Sequence, residues 1–254
     1  MKYLRRLVLF LVAVLIIACV VAITCPAQFA YGLIADRLGA IKLGGLSGSI
    51  WDGHASSVQV FGAPLGALDW QLQAAPLLHG TATAHLALSG GEITATGDVS
   101  SGSGGAVEVA DAMVHAPAHL AAPALDIPAL QLLGDLDIAI AHARLLGAWP
   151  EAANGSAHWR NAAVAGAAQA QLGDLEATFA SAADGSIDGN VHDLGGPLQL
   201  TGTFRLNAGS YDADATLRAR DANAQVSEAL RYIGEPQADG SSHLVIHGQL
   251  FKVF

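Results

Sequence analysis

Hydrophobic and polar positions change period along this chain, and the changes divide it. Lys2, Arg5 and Arg6 precede an uncharged apolar run from Leu7 to about Cys25. At 1.5 Å per residue, 17 to 19 such residues span roughly 26–29 Å, close to the thickness of a bilayer core. Pro26 ends the run. Positive charge ahead of it predicts a cytoplasmic N-terminus (1–6), a transmembrane helix (7–25) and export of the C-terminal remainder. A cleaved signal peptide is the rival reading, with Cys25-Pro26-Ala27 as a tolerable small-residue site, but the run exceeds the usual 7–15 residues. A lipobox at Ile16-Ile17-Ala18-Cys19 lacks the preferred Leu.

After Pro26, Phe29, Ala30, Leu33, Ile34 and Leu38 recur at helical spacing. They predict a short juxtamembrane helix within 26–39 that lies near the membrane or caps the domain, stopped by Gly39. From residue 40 the period becomes two. Val58–Phe61, Leu65–Leu72, Thr81–Leu88, Glu92–Gly97 and Leu136–Leu145 alternate, with Leu68, Trp70 and Leu72 on one face. The C-terminal half is clearest: strands at Leu175–Ala180, Ile187–Val191, Leu198–Leu206 and Tyr211–Ala219 are parted by turns at Asp184-Gly185, Gly195-Gly196 and Asn207–Gly209. Such short turns require antiparallel neighbours. Val226, Leu230 and Ile233 mark one amphipathic helix within Ala222–Ile233, and Ser242–Leu250 reads as a last strand. Between these, Ser100–Gly105 reads as a flexible loop, and His115–Pro128, with three prolines, as a connector or edge. The fold class expected is therefore mainly β: a curved antiparallel β-meander, half-pipe or roll-like, with one N-terminal transmembrane helix and one short amphipathic helix near the C-terminus. Leu65-Gly-Ala-Leu-Asp-Trp70, Leu133-Gly-Asp-Leu-Asp-Ile138 and Leu172-Gly-Asp-Leu-Glu-Ala177 share a frame. It points to two weakly duplicated halves within 40–254 rather than two independent domains.

Composition sharpens this. The chain has 254 residues, 52% hydrophobic and only 13% charged, with a mean hydropathy of +0.41. That excludes disorder and predicts a buried sheet or an exposed apolar surface. Net charge is −10, and three of the cations precede the first acid, so the remainder carries −13. Nucleic acid would be repelled, and so would an anionic lipid surface. Cys19 and Cys25 both belong to the apolar segment; six helical residues advance about 9 Å, too far for a disulfide.

Candidate chemistry is sparse. His115 and His119 have the spacing of a helical metal pair, but Pro117 lies between them. His243 and His247 on a strand stand about 13 Å apart, too far to share an ion. Asp135 with Asp137, and Asp212 with Asp214, share strand faces, and Arg144, or Arg205 and Arg218, stand as their local charge partners. Asp184–Asp188 offers too few oxygens for a calcium loop. Asn154-Gly-Ser156 is a formal glycosylation acceptor expected to be a turn. No nucleophile elbow, Walker loop or dinucleotide fingerprint appears. The reading is no enzyme, no metal and no cofactor.

Leu43-Gly-Gly-Leu-Ser-Gly-Ser-Ile-Trp-Asp-Gly53 and Leu65-Gly-Ala-Leu-Asp-Trp-Gln-Leu-Gln-Ala-Ala-Pro-Leu-Leu-His-Gly80 resemble stretches of the type II secretion system protein N family, the GspN-like proteins. Leu194–Gly202, Gly209-Ser-Tyr211, Leu230–Pro236 and Gly240–Gly248 are similar to the family's ending. Ser49 stands where the family usually has Thr, and residues 100–170 match only in being β-like. The resemblance implies an accessory, single-pass component of the bacterial inner membrane, with its C-terminal domain periplasmic. It implies partners in the inner-membrane platform and the outer-membrane secretin. No catalytic residues come with it. Ser47, Gly48, Trp51, Gly53, Trp70, Pro76 and Gly80 are its structural motif residues, and Trp51 and Trp70 are expected to pack. The alternative is a membrane-anchored periplasmic β protein that binds or shields lipid in an apolar groove. Intact-mass measurement of protein extracted from membranes tests the anchor: the expected species retains residues 1–25, whereas a chain beginning near Ala27 would show a cleaved leader.

Overall fold

The computed structural model describes residues 25–35, 39–122, 130–147, 149–207 and 210–249. Nearly all of the apolar run expected to cross the membrane, and residues 36–38 of the juxtamembrane segment, lie outside the described residues. No helix among the described residues is long and apolar enough to cross a membrane.

The architecture is mainly β and antiparallel, as alternation predicts. Two compact units divide the chain, Met1–Gly91 and Glu92–Phe254. In the first, helix α1 (Ala27–Ile34) precedes a four-strand meander: β1 Ile41–Gly48, β2 Asp52–Val60, β3 Ala63–Gln73 and β4 Thr83–Ser89, with a single helical turn, α2 (Ala74–Leu77), between the last two. The second holds β5 Thr94–Ser101, β6 Ala106–Pro117, β7 Leu130–Leu146, β8 Trp149–Gly166, β9 Ala170–Ser181, β10 Ile187–Asp193, β11 Leu198–Asn207 and β12 Ser210–Ala219, each from β6 onward beside its predecessor. Helix α3 (Ala224–Ala229) then leads to β13 (Glu235–Pro236) and β14 (Ser242–Gln249); β14 lies against β12, and β13 flanks it. It is an open sheet with β13 and β14 at its end.

Besides the two-residue β13, three strands were not legible as alternation: β1, β6 and β8. β6 runs through His115 to Pro117, so the expected connector starts only after a strand, with a 3-10 turn at Ala118–Ala121. Asn154-Gly-Ser156 is not a turn; it lies inside the 18-residue β8, paired with His142 through Ala139 of β7. Both strands are rich in Ala, and each carries one residue in left-handed backbone, Asp111 (φ 48°) and Asn161 (φ 50°), which breaks the period of two. Phe61, expected in a strand, sits in the β2–β3 turn and is 86% exposed.

The recurring Leu-Gly-x-Leu frame has a backbone meaning. Gly66, Gly134 and Gly173 all have φ near +100° (114°, 100°, 95°), and each stands at a register shift between paired strands. A Cβ at Gly66 would come within 2.1 Å of the Ser89 carbonyl oxygen. The frame therefore writes a glycine bulge, which bends and twists the strand. Its second Leu returns to the apolar side: Leu175 is buried in the core, and Leu136 packs against it.

That core lies in the second unit. Leu132, Val164, Leu172, Leu198, Leu200 and Leu217 project from five strands onto one face. Val226, Ala229, Leu230 and Ile233 cover part of it, at the spacing the sequence predicts. The helix is shorter than expected, ending in a 3-10 turn at Leu230–Tyr232, and Asn223 caps it by accepting from the Val226 N–H at 3.1 Å.

At the β10–β11 turn one carboxylate does several jobs. Asp193 accepts from the Leu200 and Gly195 N–H groups and from Arg220, whose other nitrogen donates to the Gly196 carbonyl. Burial alone would raise its pKa; the backbone N–H of Leu200 and the Arg220 guanidinium outweigh that and hold it below the usual carboxylate range. A depressed folded-state value means stabilisation present above the unfolded pKa of about 3.9 and lost as pH falls through the folded value. Asp193→Asn should cost about 2 kcal/mol in urea unfolding at pH 7. The difference from wild type should shrink below about pH 4.

Candidate functional site

Five of the seven motif residues converge in the first unit. Ser47 and Gly48 end β1 opposite His54 and Gly53 of β2. The turn between them is organised by Ser49, whose hydroxyl accepts from the N–H groups of Trp51 and Asp52 at 3.2 and 3.1 Å. A threonine hydroxyl could accept the same two bonds, so the departure from the family pattern keeps the chemistry. The Trp51 carbonyl accepts from the Leu72 N–H at 2.7 Å, tying the turn to β3. Gly53 is buried directly opposite Trp70, whose ring lies over it; a Cβ there would come within 2.1 Å of the indole and 2.7 Å of the Ser49 carbonyl oxygen. The indole N–H donates to the Ile50 carbonyl at 3.2 Å. Pro76 and Gly80 stand apart in the β3–β4 connection, where the Pro76 carbonyl accepts from His79 and Thr81 and Gly80 takes φ 80°. The motif therefore fixes a turn and its packing.

Beside it is an apolar pocket of about 430 Å³, lined by Tyr31, Leu46, Ile50, Leu68, Trp70 and Leu86 among others. Helix α1 supplies one wall and docks on β1: the Tyr31 hydroxyl accepts from the Leu43 N–H at 3.2 Å, and Gln28 donates to the Leu46 carbonyl at 3.0 Å. The helix thus caps the domain, one of the two roles expected. Its buried contact is Ala27, while Phe29, expected on the apolar stripe, is 65% exposed. Gln28, Tyr31 and Ile50 were missed by pattern reading, because their roles come from groups brought near by folding.

In the second unit the uncovered part of the apolar face forms a groove of about 400 Å³. Leu132, Trp159, Leu175, Leu200, Leu217 and Leu244 line it, and nearly every other lining residue is apolar. Six strand spacings separate β7 from β14, about 29 Å in a flat sheet. One groove lined by both requires this sheet to curl.

The opposite face is polar and matched in charge. Among the described residues of this unit seven histidines lie within 4.0 Å of a carboxylate, with Glu176 between His158 and His192. His115 pairs with Asp137 at 2.8 Å, and His119 with Glu92 at 3.6 Å. The expected charge partners are corrected here. Arg144 binds Glu108 and Glu151 rather than the Asp135–Asp137 pair; Arg160 reaches Asp137 instead. Arg205 and Arg218 make their hydrogen-bonded pairs with Asp188 and Asp239; Asp212 stands opposite Arg205 on β12 and adds to its charge environment, but its close contact is with His247, and that of Asp214 is with His243. Register sets Arg144 opposite Glu108 and Arg205 between Asp188 and Asp212, while Arg218 reaches Asp239 across a loop. Among the described residues no group of three or more His, Cys, Asp or Glu is arranged to hold a metal ion.

The Gly53–Trp70 contact predicts a coupling. Gly53→Ala should cost about 1–3 kcal/mol by overpacking. Trp70→Ala should cost about 2–3 kcal/mol for a half-buried ring. The double variant should lose clearly less than the sum, since the added methyl would fill space the ring leaves. Urea unfolding of the four chains measures this.

Comparison with known proteins fits this picture. A curated relative, type II secretion system protein N of Vibrio cholerae serotype O1, is 28% identical over 242 residues, which cover 91% of this chain and 93% of the relative. No solved structure matches the chain. The family model described as type II secretion system protein N matches residues 39–245, the stretch that carries both meanders, the bulge frames and the tryptophan turn. The chain belongs to the type II secretion system protein N family.

Proposed function

We propose that this protein is an accessory inner-membrane component of the type II secretion system that contacts the inner-membrane platform, the secretin or both while folded proteins cross the outer membrane. Residues 7–25 anchor it, the N-terminus is cytoplasmic, and the β domain projects into the periplasm. The observation that carries this reading is the family match across 39–245, nearly the whole β region. Its working parts are surfaces: apolar concavities, a charge-matched polar face and sheet edges. It acts without catalytic residues, metal or cofactor, and its acidic domain has no business with nucleic acid.

A second reading is favoured by one feature, the groove of the second unit, whose lining is almost wholly apolar. In that reading the protein binds or shields lipid there. Mild cross-linking of the full-length protein in membranes, followed by purification, separates the two. Recovery of the secretin or of platform proteins is the expected result. Recovery of neither, with phospholipid found by mass spectrometry in the purified protein, would favour the lipid reading and leave the family match as ancestry.

A further inference from the structure

The two described end strands are treated differently. At β1 two outward backbone groups are occupied: the Leu43 N–H donates to Tyr31 and the Leu46 carbonyl accepts from Gln28. Further along, Ser49 bridges to Pro26, and the Ile50 N–H donates to the Cys25 carbonyl. That is how a protein blunts an edge. At β14 the cover is two residues long: β13 pairs only Glu235 with His243 and Pro236 with Ser242. The Gln237 N–H donates to the Ser241 carbonyl, which sets the hydrogen-bonding phase of this hairpin. With that phase, the N–H and C=O groups of Val245 and His247 point away from β12. No strand among the described residues pairs with them.

Each face of this edge has its own chemistry. Leu244 and Ile246 line the apolar groove. Val245, 46% exposed, stands with His243 and His247 on the polar face, where their neighbours on β12 are Asp214 and Asp212. Asp214 pairs with the His243 imidazole, and Asp212 lies between His247 on β14 and Arg205 on β11, whose guanidinium hydrogen-bonds Asp188, in a chain of net charge −10. A strand added beside β14 would place alternate side chains over the groove and, on the polar face, beside His243, Val245 and His247, two strand spacings (about 10 Å) from the acids on β12, a gap that long lysine or arginine side chains can span.

We propose that the outer edge of β14, from Leu244 to Gly248, takes up an extended segment of a partner protein in which apolar residues alternate with lysine or arginine. Main-chain hydrogen bonds at Val245 and His247 supply the pairing, the groove receives the apolar set, and Asp212 and Asp214 attract the basic set. The inference rests on the reading of the protein as a contact component and names the surface.

The test uses the full-length protein in detergent micelles and a blocked eight-residue peptide alternating Leu and Lys. Backbone amide exchange is followed by NMR. In the free protein the amides of Val245 and His247 should exchange fast; saturating peptide should slow both about tenfold or more. A peptide of the same composition in block order should leave them unchanged. Val245→Pro removes one outward donor while sparing the bonds to β12, a place where an edge strand tolerates proline. It should weaken the peptide about tenfold with β12 amides still protected. A second variant, Asp212→Asn with Asp214→Asn, should weaken the Lys peptide but not its Gln counterpart, and it keeps the test alive if the proline variant does not fold. Slow exchange of Val245 and His247 in the free protein, or equal binding of the block peptide, would overturn the inference. So would cross-linking of the same secretion components to a folded Val245→Pro protein as to wild type; that last result would leave the proposed function standing.

Discussion

A single antiparallel layer has an apolar face and no second sheet to put against it, and the rest of this structure depends on that constraint. Exposed, such a face would draw the chains together. In the second unit two devices reduce the exposure. Glycine bulges bend the strands, and the helical segment after β12 lays Val226, Ala229, Leu230 and Ile233 on the face. The part they leave uncovered is the groove from Leu132 to Leu244. In the first unit α1 plays the corresponding part beside Trp70.

Bending needs small residues, and small residues leave gaps. Four aromatic rings fill them by lying over the glycine directly opposite: Trp70 over Gly53, Phe179 over Gly155, Phe204 over Gly189 and Tyr211 over Gly248. Each ring covers backbone that a glycine would otherwise leave bare, and each glycine provides room that no other residue would. This explains a composition that looks contradictory, with 29 glycines in a chain 52% hydrophobic. It also explains why the tryptophan motif reads as a family signature yet touches no reacting group.

Alternation made β3, β4, β9, β10, β11, β12 and β14 legible, because their outward positions are polar and their inward ones large. β6 and β8 were hidden for a physical reason. Alanine serves on both faces of these strands, and Asp111 and Asn161 each shift the phase. The repeated frame was visible as a frame, but its meaning depends on φ and register. Of the candidate site, Gly53 and Trp70 could be named from the chain alone. Their mutual contact and the docking of Tyr31 needed the strand register, since residues twelve to twenty apart in sequence meet there. Charge pairs were the least legible: sequence neighbours suggested Arg205 for Asp212, and the strand pairing does set them opposite, but it also sets Asp188 opposite Arg205 on the other side, and that is where the guanidinium hydrogen-bonds.

Family membership and geometry constrain function from different directions. The first places the chain in a secretion machine; the second says which kinds of contact a one-layer sheet can make. Helix-in-groove contact would use the apolar face, and strand addition would use an edge. The β1 edge already gives two outward groups to α1, and in the second unit the groove and the β14 edge are left as unfilled surfaces among the described residues. They share Leu244 and Ile246. A ligand in the groove and a strand on the edge would therefore not be independent: each would change the apolar surface offered to the other. That shared strand makes competition between lipid and a partner segment a physical consequence of the fold, and it ties the two functional readings to one place.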